Sequence, residues 1–290
     1  MKYKIKNLLI LSITIILCIN INVVPTVAAT GGKLRVNARN AIALDRSSGE
    51  VLFEQNGYEL VPMASTTKIL TALITIERGN LEEKLTVSKN AASIRGSKVG
   101  YRVGEEIAIK ELLYGLMYRS GNDAAITLAE GIGGSIEGFS EIMNHYATSL
   151  GLLDSHFETP HGLDSQEHYS SAYDLAILTA KGMEYDMFRE VVGTKEIRKE
   201  IYNFTRDYNN INKILWKIPG ANGVKTGYTG QAGKCLVSSV NYNGKDIIIV
   251  VLNCTDRWNQ TEKIFNHIQE TVAFQSKNMK ELAKDNFNIY

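Results

Sequence analysis

Strand-forming segments lie at both ends of this chain with helical periodicity between them, and that arrangement constrains its fold more than any other feature. Near the start, Ala41-Ile42-Ala43-Leu44 and Val51-Leu52-Phe53 flank the polar turn Asp45-Arg46-Ser47-Ser48-Gly49, which predicts a hairpin. Near the end, Cys235 to Val240 and Ile247 to Cys254 flank Asn243-Gly244, a strong hairpin signal. A further strand is expected at Gly223-Val224-Lys225-Thr226-Gly227, and short ones at Leu85-Thr86-Val87 and Glu105-Glu106-Ile107. Between the hairpins, Ile69, Leu70, Leu73 and Ile74 recur at helical spacing until Gly79. Ile109, Leu112, Leu113, Leu116 and Met117 do the same, and further helices are expected from Asp123 to Glu130, Ile136 to Leu150 and Ala172 to Met183. Gln260 to Leu282 has helix-forming composition. Strands from both ends with helices between them predict a discontinuous sheet sandwiched by helices, an α/β or α+β layer design.

The first residues follow a different logic. Lys2, Lys4 and Lys6 precede an apolar run from Leu8 to Val24, and Pro25-Thr26-Val27-Ala28-Ala29 supplies small residues suited to cleavage. This order predicts a secretory signal over residues 1–29 and a mature protein working outside the cytoplasmic membrane, secreted or at its outer face. The alternative is an uncleaved anchor, the one route by which a membrane would be a partner. A single folded domain is expected over 30–275 and a tail over 276–290. At 44% hydrophobic and 22% charged the chain can build a sizeable core, and a net charge of +1 gives nucleic acid no electrostatic footprint. After processing, Cys235 and Cys254 remain; a bridge is conceivable, but two buried thiols are expected. No CxxC or HExxH spacing is present, so no metal or cofactor is expected, and His161 and His168 read as structural.

Three short motifs carry chemistry. Ser65-Thr66-Thr67-Lys68 has the form S-x-x-K, which at a helix start sets the lysine one turn after the serine on the same face. A lysine there accepts the hydroxyl proton only when neutral, so its pKa must fall from about 10.4 toward 7, at about 4–5 kcal/mol. A solvated lysine beside a capping serine is the bland alternative, and chance alone yields about one such motif in a chain of this size. Ser120-Gly121-Asn122 lies between two helices, where it offers a hydroxyl and an amide, or else caps one helix and starts the next. Lys225-Thr226-Gly227 sits on a strand, where Lys and Thr can hold a carboxylate and Gly leaves room for substrate; an edge-protecting lysine is the alternative.

In the order S-x-x-K, S-x-N, K-T-G the three resemble the motif set of penicillin-binding proteins and class A β-lactamases. The likeness extends to Tyr114-Gly115-Leu116-Met117-Tyr118-Arg119-Ser120-Gly121-Asn122-Asp123-Ala124-Ala125, to Thr159-Pro160-His161-Gly162-Leu163 and to Ser170-Ser171-Ala172-Tyr173-Asp174-Leu175-Ala176. With Gly223 to Thr229 it covers residues from about Ala41 to Ile268, and it points to the serine D-Ala-D-Ala carboxypeptidases of peptidase family S11. The resemblance implies a β-lactamase/transpeptidase-like fold: a five-stranded antiparallel sheet flanked by helices, with a mostly helical subdomain. It implies Ser65 as nucleophile, Lys68 as base and Ser120 as proton relay. Asn122, Lys225, Thr226, Gly227 and Tyr228 would bind substrate, the Ser65 and Tyr228 amides forming the oxyanion hole. Arg257, after the last core strand, would lie near the substrate carboxylate or else on the surface. The implied substrate is a peptidoglycan stem peptide ending in D-Ala-D-Ala, with β-lactams as covalent inhibitors.

Two rival readings remain on the same residues. A serine β-lactamase needs a deacylating carboxylate, and Glu158 lies at a plausible distance, but His161 and Gly162 occupy the Leu and Asn places of an E-x-x-L-N loop. A non-catalytic penicillin- or wall-binding module would not need the intact set of Ser65, Lys68, Ser120 and Lys225.

Overall fold

The two hairpins join in one sheet. A computed structural model describes residues 34–271, so the expected signal, the tail and the end of the last helix lie outside the described residues. In chain order the elements begin with β1 (Asn40–Asp45), β2 (Val51–Gln55), a 3-10 turn (Ala64–Thr67) and α1 (Lys68–Arg78). They continue with β3 (Lys84–Thr86), α2 (Lys89–Ser93), β4 (Glu106–Ala108), α3 (Ile109–Tyr118), α4 (Asn122–Gly133) and α5 (Ile136–Ser149). Then come α6 (Ala172–Gly182), α7 (Asp186–Gly193), β5 (Glu196–Ile197), α8 (Lys199–Tyr202), β6 (Tyr208–Asn209) and α9 (Ile214–Lys217). Strands β7 (Ala221–Thr229), β8 (Gly233–Tyr242) and β9 (Lys245–Leu252) follow, and a helix over 257–271, here α10, ends the described chain.

The main sheet has five antiparallel strands in the order β2-β1-β9-β8-β7. The N-terminal hairpin therefore docks on the C-terminal one, with Ala41 opposite Val251 and Ala43 opposite Ile249. Asn243 and Gly244 both take positive φ, 52° and 80°, the backbone that a two-residue hairpin turn requires. Alternation along the strands splits the core in two. Ile42, Leu44, Ile248, Val250 and Leu252 face the cluster built by α1, α3, α4 and α6, whereas Ala41, Ala43, Ile247, Ile249 and Val251 face α9 and α10. A strand buried on both sides needs an apolar residue at every position, which is why β9 contains the unbroken run Ile247-Ile248-Ile249-Val250-Val251-Leu252.

Helix α1 is buried without interruption from Lys68 to Thr75. A helix with no solvent face lies in the middle of a core, so any charge on it is desolvated. Its polar side chains are paired internally: the Thr71 hydroxyl donates to the Pro160 carbonyl and that of Thr75 to the Thr71 carbonyl. Cys235 and Cys254 are both buried free thiols. Among the described residues, no helix is long and apolar enough to cross a membrane.

Several boundaries differ from the sequence reading. β3 and β4 pair one residue away from the expected runs, α4 continues to Gly133, and α10 begins at residue 257. Helix α7 and the small β5–β6 pair were not expected. For α7 the signal was present, since Phe188, Val191 and Val192 are buried at helical spacing.

Candidate active site

Chain geometry just before Ser65 is unusual. Ala64 is buried with φ 52°, a left-handed conformation costing a residue with a Cβ about 1–2 kcal/mol. Ser65 lies in the 3-10 turn rather than in the α-helix proper, and the helix starts at Lys68. The turn is held from below. Thr66 Oγ1 donates to the Met63 carbonyl at 2.6 Å and Thr67 Oγ1 to the Ala64 carbonyl at 2.9 Å. A Cβ at Gly162, itself at φ 80°, would lie 2.0 Å from the Ala64 oxygen, so only glycine fits beneath the strained residue.

Lys68 is fully buried, and its Nζ has three partners: Ser65 Oγ at 3.0 Å, Asn122 Oδ1 at 2.8 Å and the His161 carbonyl at 2.6 Å. Two of these can only accept, because a carbonyl oxygen has no proton to give. A neutral amine has two hydrogens and one lone pair. The hydrogens go to Asn122 and His161, and the lone pair is left for the Ser65 hydroxyl proton. Burial pushes the Lys68 pKa well below its ordinary value, and the cation at Lys225 pushes it further, against a smaller opposing pull from Asp123.

The second lysine forms a similar pair. Lys225 Nζ lies 3.0 Å from Ser120 Oγ and 2.8 Å from the Thr226 carbonyl, again fully buried. Burial, followed by the nearby Arg257 guanidinium, lowers its pKa to about 7. Ser120 occupies the left-handed position, φ 56°, that closes α3, and the Gly121 amide donates back to the Gly115 carbonyl. The capping reading of Ser120-Gly121-Asn122 is thus met, with Ser120 rather than Gly121 in the strained place.

Asn122 is committed to Lys68. Its Oδ1 accepts from Lys68 and its Nδ2 donates to the Arg95 carbonyl at 2.8 Å. Next to it, the buried Asp123 carboxylate accepts from the Val99, Gly100 and Tyr101 amides and so holds that loop against the start of α4.

Strand β7 places Lys225 and Thr226, both buried, and the exposed Tyr228. The expectation that Gly227 leaves room for substrate is corrected here. A Cβ on Gly227 would meet Ala64 Cβ and the Ser65 amide nitrogen at 3.1 Å, so this glycine lets the strand pack against the backbone of Ser65. Arg257 is not a free surface cation. Its Nη1 donates to the Gly227 carbonyl at 2.7 Å and the Cys235 carbonyl at 3.0 Å, and its guanidinium stacks 4.8 Å from the Trp258 ring centroid.

The loop from Glu158 to His168 was not recognised as a supporting element, because it acts largely through backbone atoms. Besides the His161 and Pro160 carbonyls, it contributes Asp164, whose Oδ1 accepts from Thr229 Oγ1 at 2.5 Å and ties the end of β7 to the loop. Glu158 is turned into the loop itself, accepting from the Ser165 hydroxyl and the Glu167 amide, and the Ser165 bond is the main cause of its lowered pKa. His161 Nδ1 accepts from the Leu163 amide, and both ring nitrogens of His168 are hydrogen-bonded. Among the described residues, no group of three or more His, Cys, Asp or Glu side chains could hold a metal ion.

Comparison with known proteins agrees with this geometry. Residues 26–256 match the D-alanyl-D-alanine carboxypeptidase family. The chain is 37% identical over 235 residues to D-alanyl-D-alanine carboxypeptidase DacF of Bacillus subtilis, covering 77% of this chain and 59% of that protein. It is 37% identical over 244 residues to DacC of Escherichia coli, covering 79% and 60%. It thus spans about 60% of the length of these curated relatives. The D-alanyl-D-alanine carboxypeptidase of Streptomyces K15 is 32% identical over 264 residues, covering 84% and 88%. The crystal structure of the Streptomyces K15 DD-transpeptidase superposes with a TM-score of 0.77 at 31% identity, covering 83% of this chain and all of that one. The fold is that of the DD-transpeptidases and carboxypeptidases, and the chain belongs to the D-alanyl-D-alanine carboxypeptidase family.

Proposed function

We propose that this protein is a serine D-Ala-D-Ala carboxypeptidase acting on peptidoglycan stem peptides outside the cytoplasmic membrane. The observation that carries the reading is the bonding of Lys68, whose only partner able to give up a proton is Ser65. Ser65 Oγ attacks the carbonyl between the last two D-alanines as its proton passes to Lys68 Nζ. Charge developing on the carbonyl oxygen is met by the Ser65 and Tyr228 amides, which the packing of Gly227 against Ser65 keeps close together. The C–N bond then breaks; Ser120, beside the Lys225 cation, gives its proton to the leaving amine and takes up the proton held on Lys68, which returns to its neutral form. D-Alanine departs, and water activated by Lys68 hydrolyses the ester on Ser65.

Lys225, Thr226 and Arg257, which lie on or against β7, are the groups assigned to the terminal carboxylate in this reading, in keeping with a preference for C-terminal substrates. A β-lactam enters the same path, but its broken amide stays tethered, so the ester persists. The β-lactamase alternative loses its base, because the Glu158 carboxylate is bound by Ser165 and Glu167.

Intact-mass measurement after penicillin treatment, with a D-alanine release assay on a pentapeptide, tests the reading. One adduct per chain and stoichiometric D-alanine release are expected, and neither with Ser65→Ala. Rapid catalytic turnover of a cephalosporin, or an adduct surviving in Ser65→Ala, would overturn it.

A further inference from the structure

A buried chain of hydrogen bonds runs from the loop to the residue that precedes the nucleophile. The Glu158 amide donates to His168 Nδ1 at 2.9 Å, so that nitrogen has no proton. Thr67 Oγ1 gives its only proton to the Ala64 carbonyl, and it lies 2.8 Å from His168 Nε2. The second distance is therefore a bond only if Nε2 carries the hydrogen and donates it to Thr67. Both ends of the ring require the same tautomer. Burial keeps the ring neutral, lowering its pKa to about 4, with Glu158 and Asp164 opposing and His156 and Lys68 reinforcing the shift. Phe157 packs edge-on against the ring at 5.9 Å and fixes its plane.

The end of this chain is the Ala64 carbonyl, which belongs to the residue at φ 52°. Rotating that peptide swings Ser65 on its C-terminal side. We propose that His168, acting through Thr67, is a positioning residue for acylation: its Nε2–H fixes the Thr67 hydroxyl on the Ala64 carbonyl and so holds Ser65 Oγ in line with Lys68. His168 never meets substrate, and its effect falls on the acylation step rather than on binding. This inference rests on the proposed reaction at Ser65.

Two near-isosteres separate the ends of the ring. The terminal group of asparagine overlays Nδ1, so His168→Asn keeps an acceptor for the Glu158 amide and loses the donor to Thr67. Glutamine reaches the Nε2 place, so His168→Gln keeps the donor and loses the loop acceptor. Stopped-flow acylation by a chromogenic β-lactam resolves the binding constant from the acylation rate constant, and a thermal melt reports folding. His168→Asn is expected to slow acylation about 100-fold at an unchanged binding constant, the effect of a small misplacement of the attacking atom. His168→Gln should remain within about threefold of the parent.

Thr67→Val should match the asparagine variant, the double variant should be no slower than either single one, and Thr67→Ser should restore the rate. Full-rate acylation by His168→Asn, or equal losses in Asn and Gln variants in step with their melting points, would overturn the inference. If the parent protein forms no adduct at all, the reading of Ser65 as nucleophile is what fails, and the inference falls with it.

Discussion

Lys68 with Ser65 and Lys225 with Ser120 are two serine–lysine pairs of equal length, 3.0 Å each, and both lysines are fully buried. Their surroundings assign them different work. Lys68 has two obligate acceptors besides its serine, which match the hydrogens of a neutral amine. Lys225 has a single backbone carbonyl besides its serine, and its charge helps to lower the Lys68 pKa. In the proposed reaction one pair holds the base and the other a cation that helps to keep it neutral; distance alone does not distinguish them.

Breaking each pair should give unequal losses. Lys68→Met is expected to slow penicillin acylation by about 10³–10⁴-fold, and Lys225→Met by about 10²-fold, as read from the second-order rate constant. Equal losses would abolish the distinction. Next in size is the backbone under the first pair. Gly162→Ala, at φ 80° and 2.0 Å from the Ala64 oxygen, should slow acylation about 100-fold and lower the melting temperature. Gly227→Ala meets its neighbours at 3.1 Å and should cost no more than about tenfold.

The coupling also has a sign. Removing the Lys225 charge makes protonated Lys68 less unfavourable and raises its pKa. The acid limb of the acylation profile in Lys225→Met should therefore move to higher pH; a shift to lower pH refutes the coupling. Arg257→Leu removes the cation that lowers Lys225, so Lys225 should titrate above its present value of about 7. The smallest effect is on stability. Lys225 is charged in the unfolded chain up to about pH 10.5, and its folded pKa is lower, so its contribution opposes folding at neutral pH and weakens as pH rises through that window. Lys225→Met should raise the melting temperature at pH 7, by differential scanning calorimetry, while activity falls.

The pattern of strands and helices was legible because Ile247 to Leu252, Ile42, Leu44 and the apolar face of α3 follow the periods that burial imposes. The motif residues were legible as types, and the fold brings Ser65, Lys68, Asn122, Ser120, Lys225 and Arg257 into one linked site. What sequence could not supply is what the backbone does. The His161 carbonyl orients Lys68, the Ala64 carbonyl receives Thr67, and Ser120 takes a left-handed turn, none of which depends on a side-chain type that a motif would mark. His168 was read as structural because its significance lies in a tautomer, which only its two partners define. The two-residue strands β5 and β6 are too short for any periodicity to show.

The strand order has a consequence for how the molecule is made. β1 is synthesised well before β9 yet sits between β2 and β9, and β9 is the last strand among the described residues. Until β9 emerges, β1 has one unpaired edge, and β7 and β8 have no neighbour joining them to it. Helix α1, with Ser65 at its head, is synthesised long before the strand that brings Lys225 to it. Such non-local pairing delays closure of the sheet until β9 has been made. A nascent chain cut short of β9 carries every motif residue, from Ser65 to Lys225, on a sheet that cannot close.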